Sequence, residues 1–210
     1  MEIVDVFATP VTLERFNPAD PINAALTAAL VSEAASTPGI LRSNVGGWHS
    51  VPDLALRRGG PFPALMQRIV DTVGGLIGEL AARQQAPQRA YRYGIQSWAM
   101  VMGPGHYTVL HDHAEAHISG VYYADAGDDV EGPSGHLAFG RPGGGFAEIP
   151  GLTLFPTTFS VRPQTGMMVL FPGYLQHYVH PYRGQRPRVA ISFNVRAEAA
   201  GPPPGGGLSA

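Results

Sequence analysis

Nine short runs rich in β-branched and aromatic residues fill the second half of the chain, and Gly, Pro or Asp clusters separate most of them. In chain order they lie at 91–102, 106–113, 117–125, 136–140, 152–156, 158–163, 167–172, 177–182 and 188–196. Short strands at this spacing are typical of an antiparallel sandwich or barrel. The sequence shows no alternation of strands and helices of the βαβ kind. The pattern therefore predicts a mainly β fold.

Helical signals lie in the first half of the chain. Asp20 can act as the N-cap of a helix that starts with a proline and continues, with apolar residues at helical spacing, to about Ser36. A second pattern of the same kind runs from Pro63 to about Arg83. We expect both helices to flank the sheet, giving an α+β protein.

The length of 210 residues suits one domain. We expect a helical part at 1–90 that packs on the β core, the core itself at 91–197, and a disordered tail at 198–210, where Gly and Pro dominate. Hydrophobic residues make up 44% of the chain, which is enough for a sizeable core.

Charge and cysteine content narrow the classes of function. The net charge of −2 provides no basic field for nucleic acid or an anionic membrane, so a small-molecule or peptide partner is expected. With no cysteine in the chain, any metal must be held by His, Asp or Glu. The chain shows no signal peptide and no apolar run long enough to span a membrane, so we expect a cytoplasmic protein. Oligomeric state is left open, with a homodimer as one option.

The histidines form the strongest functional pattern. Four of the eight fall between 106 and 117. Because alternate residues of a strand share a face, His111 and His113 are expected to point the same way and to converge on one ion. His177, which opens a later strand after a Pro-Gly turn, is a third candidate ligand. Three ligands would leave coordination positions open for a substrate or co-substrate. The spacing of glycines and histidines resembles the two motifs of the cupin superfamily.

Two alternatives to this ligand set remain open. His117 could be a fourth ligand that closes the site, or a residue near its rim. Glu115 continues the alternation after His113, so it could supply a carboxylate ligand. We expect His180 to lie behind the site or at the surface.

The stretch from Trp98 to Asn194 resembles a family of bacterial 2-oxoglutarate/Fe(II)-dependent oxygenases, as do the segments 6–10 and 47–50. The matching pieces are Trp98–Val101, His111–His113, Ser119–Tyr123, Gly135–Phe139, Gly166–Pro172, His177–Val179 and Arg188–Asn194. The resemblance implies a double-stranded β-helix, also called a jelly-roll barrel, with Fe(II) as the metal and 2-oxoglutarate as the co-substrate.

The resemblance also implies roles for single residues. His111 takes the place of the first metal ligand, His113 that of the carboxylate ligand, and His177 that of the distal histidine. Arg188 stands where these enzymes place a basic residue that pairs with the far carboxylate of 2-oxoglutarate, and a guanidinium suits this task because it makes two parallel hydrogen bonds. Tyr123 and Ser192 are candidates to assist at the same carboxylate, with packing in the core as the alternative use of both side chains.

One departure from the family pattern matters for the chemistry. His113 stands where most such oxygenases have Asp or Glu, so the metal site would be one charge unit more positive. The leading hypothesis is a hydroxylase that uses Fe(II) and 2-oxoglutarate on an unknown small-molecule or peptide substrate. The alternatives are a cupin-like three-histidine dioxygenase or isomerase that ignores 2-oxoglutarate, and a non-enzymatic metal-containing binding protein.

Overall fold

The computed structural model describes residues 8–87, 89–141, 150–151 and 157–200. The helices are α1, Pro21–Ser36, and α2, Phe62–Arg83. The strands are β1 Thr12–Arg15, β2 Asn44–Val45, β3 Trp48–His49, β4 Tyr91–Met102, β5 Tyr107–His111, β6 Ile118–Asp125, β7 Leu137–Gly140, β8 Thr158–Val161, β9 Met167–Pro172, β10 His177–Val179 and β11 Arg188–Ala199.

The strands form two sheets. The larger has the order β1-β9-β6-β11-β4-β3 and the smaller the order β2-β5-β10-β7-β8, with antiparallel pairing throughout. Side chains from both sheets share one core, in which Val121 and Tyr123 of β6 pack with Leu137 and Phe139 of β7. The mainly β fold with flanking helices is confirmed. The described residues form two facing sheets rather than one closed barrel.

The predicted strands are found in every described run, whereas the run at 152–156 lies outside the described residues. The predicted tail lies outside them from residue 201 onward, and so do residues 6–7 of the opening segment. Three short strands before residue 90, namely β1, β2 and β3, also join the sheets, which the sequence patterns did not predict.

The helices cover the outer face of the larger sheet. Leu26 of α1 and Ile69 of α2 pack with Ile191 and Phe193 of β11 in a second core. A polar cluster ties this layer together, because the Tyr122 hydroxyl donates to Asn23 Oδ1 at 2.6 Å and accepts from Arg68 Nη1 at 2.8 Å. With one face held by the helices, the opposite face of the sheet is left for the site.

Asp20 caps α1 as predicted, since its carboxylate accepts a hydrogen bond from the Ile22 backbone N–H at 3.0 Å. The second helix runs without a break from Phe62 to Arg83. Within the described residues, neither helix combines the length and the hydropathy that a membrane crossing requires.

Candidate metal centre and co-substrate cavity

His111, His113 and His177 come together between the two sheets. One ligand atom from each lies within 4.8 Å of those of the other two. His111 ends β5 and His177 begins β10, and the antiparallel register pairs these two residues directly. The structure thus brings together all three predicted ligands from segments far apart in the sequence.

His113 reaches the cluster in a different way from the one the strand pattern predicts. The strand ends at His111, so alternation along a strand does not place His113. A turn at 113–116 does so instead, because the His113 backbone N–H donates to the Gly173 carbonyl at 2.8 Å and the Ala116 N–H donates to the His113 carbonyl. The Pro-Gly turn that leads to His177 therefore also fixes the turn that carries His113.

Hydrogen bonds orient two of the three imidazoles. His111 Nδ1 lies 2.7 Å from the Val109 carbonyl, and His177 Nδ1 lies 2.9 Å from the Leu175 carbonyl. A carbonyl only accepts, so both Nδ1 atoms carry the proton and both Nε2 atoms are unprotonated, each with a lone pair. The Ser43 hydroxyl lies 3.3 Å from His111 Nε2, where it donates to that lone pair. This tautomer is the one that a metal ligand bound through Nε2 needs.

The histidines are electrically neutral. Burial lowers the pKa of His177 to about 3 and that of His113 to about 4, and repulsion from His111 adds to both shifts. Burial also lowers the pKa of His111. A cluster that stays deprotonated offers its lone pairs to a cation without first losing protons.

The alternative ligands lie elsewhere. His117 is exposed, and its Nδ1 accepts a hydrogen bond from the Ala197 N–H at 3.0 Å. Glu115 is exposed and pairs with the Arg196 guanidinium at 2.9 Å. His180 packs its ring on Tyr178. Among the described residues, the metal-binding geometry is confined to the three histidines.

An inner cavity extends from the histidines into the space between the sheets. Part of its lining consists of cross-strand pairs between β4 and β11, namely Trp98 opposite Ser192, Met100 opposite Ala190, and Met102 opposite Arg188. The walls between the histidines and Arg188 are mostly apolar. The lining includes Val121, Leu137, Phe171, Val179 and Ala190.

Arg188 lies in the lining of the inner cavity and is only 2% exposed. Its guanidinium lies 5.0 Å from the centre of the Tyr123 ring, and Nη1 lies 3.5 Å from the Met102 sulfur. No described carboxylate pairs with it, and neither Arg188 Nε nor the buried Tyr123 hydroxyl has a hydrogen-bond partner among the described residues. Burial lowers the pKa of Arg188 and raises that of Tyr123.

A buried guanidinium without an anion is costly, because several kcal/mol of desolvation is left uncompensated. A carboxylate entering the cavity would satisfy Arg188 Nε and the Tyr123 hydroxyl together. The residues present therefore fit a molecule with one carboxylate at Arg188 and a second chelating group at the histidines, as in 2-oxoglutarate. Of the predicted helpers, Tyr123 lies at Arg188, and Ser192 lies four residues further along the same face of β11.

An outer cavity adjoins the inner one on the other side of the histidines. Residues Ser43, Trp98, His111 and His113 line both cavities. The remaining lining of the outer cavity comes from 40–52 and from the middle of β4 and β11, namely Ile40, Arg42, His49, Pro52, Gln96 and Asn194. Loop 125–134 contributes nothing to either cavity, and 142–149 lie outside the described residues.

The close approach at Gly173 makes a prediction. A Cβ at this position would lie 2.2 Å from the Ala116 carbonyl oxygen and 2.6 Å from that of His113. We expect Gly173→Ala to displace the 113–116 turn, to weaken Co(II) binding about tenfold and to cost roughly 1–3 kcal/mol of stability. Gly75→Ala is the control, because a Cβ there meets no atom within 4 Å. Equal Co(II) affinity in both variants would contradict this role of Gly173.

The pKa of His177 predicts how the metal-free protein responds to acid. Its folded pKa of about 3 lies below the unfolded value of 6.5, so the unfolded state binds more protons below pH 6.5. Stability is therefore retained above pH 6.5 and falls as the pH drops towards 3, with His177 costing on the order of 2 kcal/mol at pH 5. Urea unfolding of wild type and His177→Gln at pH 7 and 5 measures this. Equal losses in the two proteins would contradict the prediction.

A fold of two facing antiparallel sheets, with three histidines and a buried arginine between them, defines a class of cofactor-dependent metalloenzymes. Residues 96–194 match the family model described as "Putative 2OG-Fe(II) oxygenase". This segment, just under half of the chain, is therefore similar to the 2-oxoglutarate/Fe(II) oxygenase family. All the predicted site residues fall inside the matched segment. No curated protein sequence matches the chain.

Solved structures share the fold at low sequence identity. A prolyl-4-hydroxylase from Pseudomonas putida superposes with a TM-score of 0.60 at 16% identity, covering 90% of this chain and 92% of that one. A prolyl hydroxylase from Trichoplax adhaerens, in complex with a hypoxia inducible factor peptide fragment, superposes with a TM-score of 0.59 at 13% sequence identity. The match covers 88% of this chain and 82% of that one. HygX from Streptomyces hygroscopicus, with nickel and 2-oxoglutarate bound, superposes with a TM-score of 0.53 at 14% sequence identity. The match covers 89% of this chain and 82% of that one. These likenesses identify the fold as the double-stranded β-helix.

Proposed function

We propose that the protein is an Fe(II)- and 2-oxoglutarate-dependent hydroxylase in which His111, His113 and His177 hold the metal and Arg188 holds the co-substrate. The observation that supports this most strongly is the buried, unpaired guanidinium in a cavity that also contains three neutral histidines. A structural arginine would have an anion beside it, whereas Arg188 has none among the described residues.

Bound Fe(II) and 2-oxoglutarate supply the oxidising chemistry, in which 2-oxoglutarate and O₂ yield succinate, CO₂ and one oxygen atom for the substrate. The protein's own residues have simpler tasks. His111 and His177 present Nε2 lone pairs whose direction is fixed by backbone carbonyls. Arg188 and Tyr123 orient the co-substrate by its far carboxylate, and the apolar walls between them exclude water.

The all-histidine ligand set has an electrostatic consequence. Three neutral ligands leave the full charge of the divalent ion in the cavity, and a dianionic co-substrate would balance it. We propose that His113 makes co-substrate binding more dependent on the charge of 2-oxoglutarate than in a site with a carboxylate ligand.

The second candidate function is a three-histidine dioxygenase that does not use 2-oxoglutarate. This function is favoured by His113, a histidine at the position where the family pattern has a carboxylate ligand. A dioxygenase of this kind would leave the unpaired Arg188 without a task, so we rank it second. A cytoplasmic location, a small-molecule or peptide substrate and the oligomeric state stay predictions.

A turnover assay tests the proposed hydroxylase. The Fe(II)-loaded protein is supplied with 2-oxoglutarate and O₂, with and without candidate substrates, and succinate is measured. We expect succinate formation that requires Fe(II) and stops in His177→Ala. Oxygen consumption that does not depend on 2-oxoglutarate would instead support the second candidate.

A further inference from the structure

The outer cavity carries charge of only one sign. Among the described residues that line it, Arg42 is the sole charged side chain, because this lining contains no Asp, Glu or Lys. Arg42 is exposed, and no described residue forms an ion pair with it. Its backbone position is fixed, since the Arg42 N–H donates to Asn44 Oδ1 at 2.9 Å and Asn44 is buried. The cavity therefore presents one cationic residue, with its backbone held in place, beside two of the candidate metal ligands.

The neutral groups of the outer cavity add hydrogen-bond donors. Asn194 Oδ1 already accepts from the Ser119 hydroxyl at 2.8 Å, which leaves the Asn194 amide N–H groups free to donate. Gln96 lies opposite Asn194 in the register of β4 and β11 and lines the same cavity. An anion is the ligand that a guanidinium and neighbouring amide donors recognise together.

One buried group in the cavity is an acceptor. His49 is 5% exposed and stacks its ring on Trp98 at 5.9 Å between ring centres. Its Nδ1 lies 2.6 Å from the Ser50 carbonyl and therefore carries the proton, which leaves Nε2 as an acceptor without a described partner. Burial lowers the pKa of His49, and the nearby positive charge of Arg42 lowers it further.

We propose that the outer cavity binds an anionic substrate, whose carboxylate or phosphate pairs with Arg42 and whose neutral hydroxyl or amide N–H donates to His49 Nε2. A free ammonium group fits poorly, because the described lining offers no carboxylate to balance it. The substrate class is thus an acid with a neutral donor beside it, such as a hydroxy acid, an N-acyl amino acid, a peptide carboxyl terminus or a phosphate ester. This inference rests on the proposed function, which makes the outer cavity the substrate side of the metal.

Matched probes test the proposal by binding rather than by turnover. Protein loaded with Ni(II) and 2-oxoglutarate is titrated, under ligand-observed NMR, with N-acetylphenylalanine, its methyl ester, free phenylalanine and phenyl phosphate. We expect N-acetylphenylalanine to bind about tenfold more tightly than its ester and than free phenylalanine. If phenyl phosphate binds more tightly still, the acidic group is a phosphate, and if it binds more weakly, the group is a carboxylate.

Variants assign the binding to single residues. Arg42→Gln should bring the affinity for N-acetylphenylalanine down to that for the ester, whereas Arg58→Gln, an exposed arginine outside both cavities, should change nothing. His49→Phe keeps an aromatic ring on Trp98 but removes Nε2. The affinities for N-acetylphenylalanine and for its methyl ester should therefore fall by the same factor, about threefold to tenfold. Acids that bind no better than esters, or equal affinities in Arg42→Gln and Arg58→Gln, would overturn the proposal.

The test separates this proposal from the proposed function. Arg42 and His49 lie outside the metal cluster, so the titrations are repeated on the metal-free protein. Arg42-dependent binding without any 2-oxoglutarate turnover would retain the anionic cavity and reject the hydroxylase. Succinate formation without Arg42-dependent binding of any probe would retain the hydroxylase and reject the anionic substrate.

Discussion

Replacement of Arg188 by methionine should raise the dissociation constant for 2-oxoglutarate about 100-fold or more and leave Co(II) affinity unchanged. The guanidinium is buried, and the carboxylate it binds would lose a bidentate, charge-assisted pair in a low-dielectric cavity. Calorimetry of the Co(II)-loaded variant with 2-oxoglutarate measures the change. The fold should survive, because replacing an unpaired buried charge by an apolar side chain of similar size is neutral or stabilising.

Arg186→Met is the matched control for Arg188→Met. Arg186 lies two residues earlier, is exposed, and pairs with Asp128 at 2.8 Å, so its loss should leave the affinity for 2-oxoglutarate unchanged. If Arg188→Met bound 2-oxoglutarate as tightly as Arg186→Met, the co-substrate would not lie at Arg188, and the cupin-like alternative would gain.

Replacement of His177 by alanine should lower the affinity for Co(II) at least 100-fold and abolish succinate formation. A site with three protein ligands keeps only two, and the lost imidazole is the most buried of the set. We expect the loss of a metal ligand to lower metal affinity by more than the 10–100-fold that is typical when a residue hydrogen-bonded to a ligand is replaced. Competition with a coloured chelator measures the affinity.

His117→Ala and Glu115→Gln are the controls for the His177 variant. Both side chains bond to β11 residues and lie outside the cluster, so Co(II) affinity should remain at the wild-type value. A loss in His117→Ala comparable to that in His177→Ala would show that the ion has a fourth histidine ligand.

The elements that sequence patterns predict well are those with a long periodic signal. The helices predicted at 20–36 and 63–83 appear at Pro21–Ser36 and Phe62–Arg83, and the strand predicted at 91–102 has those bounds. Two-residue strands such as β2 and β3 carry no periodicity, because pairing with β5 and β4 alone defines them. Such tertiary pairing leaves no local trace in the sequence.

In the candidate site, too, residues with a local sequence signal could be predicted, whereas placements that depend on tertiary contacts could not. The sequence identified the three histidines by spacing and Arg188 by resemblance, and the structure places all four around one cavity. The placement of His113 depends on a contact between the 113–116 turn and Gly173, which no strand pattern contains. Arg42, His49 and Asn194 line one cavity because segment 40–52 lies beside the middle of β4 and β11. That packing joins distant parts of the chain, so single-sequence reasoning had no signal for the outer cavity.

The most direct test of the three-histidine site and its co-substrate is an anaerobic titration of the Fe(II)-loaded protein with 2-oxoglutarate, followed by visible absorption. Chelation of Fe(II) by the 2-oxo acid produces a metal-to-ligand charge-transfer band. We expect a saturable band in wild type, a band that needs far more 2-oxoglutarate in Arg188→Met, and none in His177→Ala. A wild-type protein that binds Fe(II) stoichiometrically but develops no band at saturating 2-oxoglutarate would contradict the proposed co-substrate.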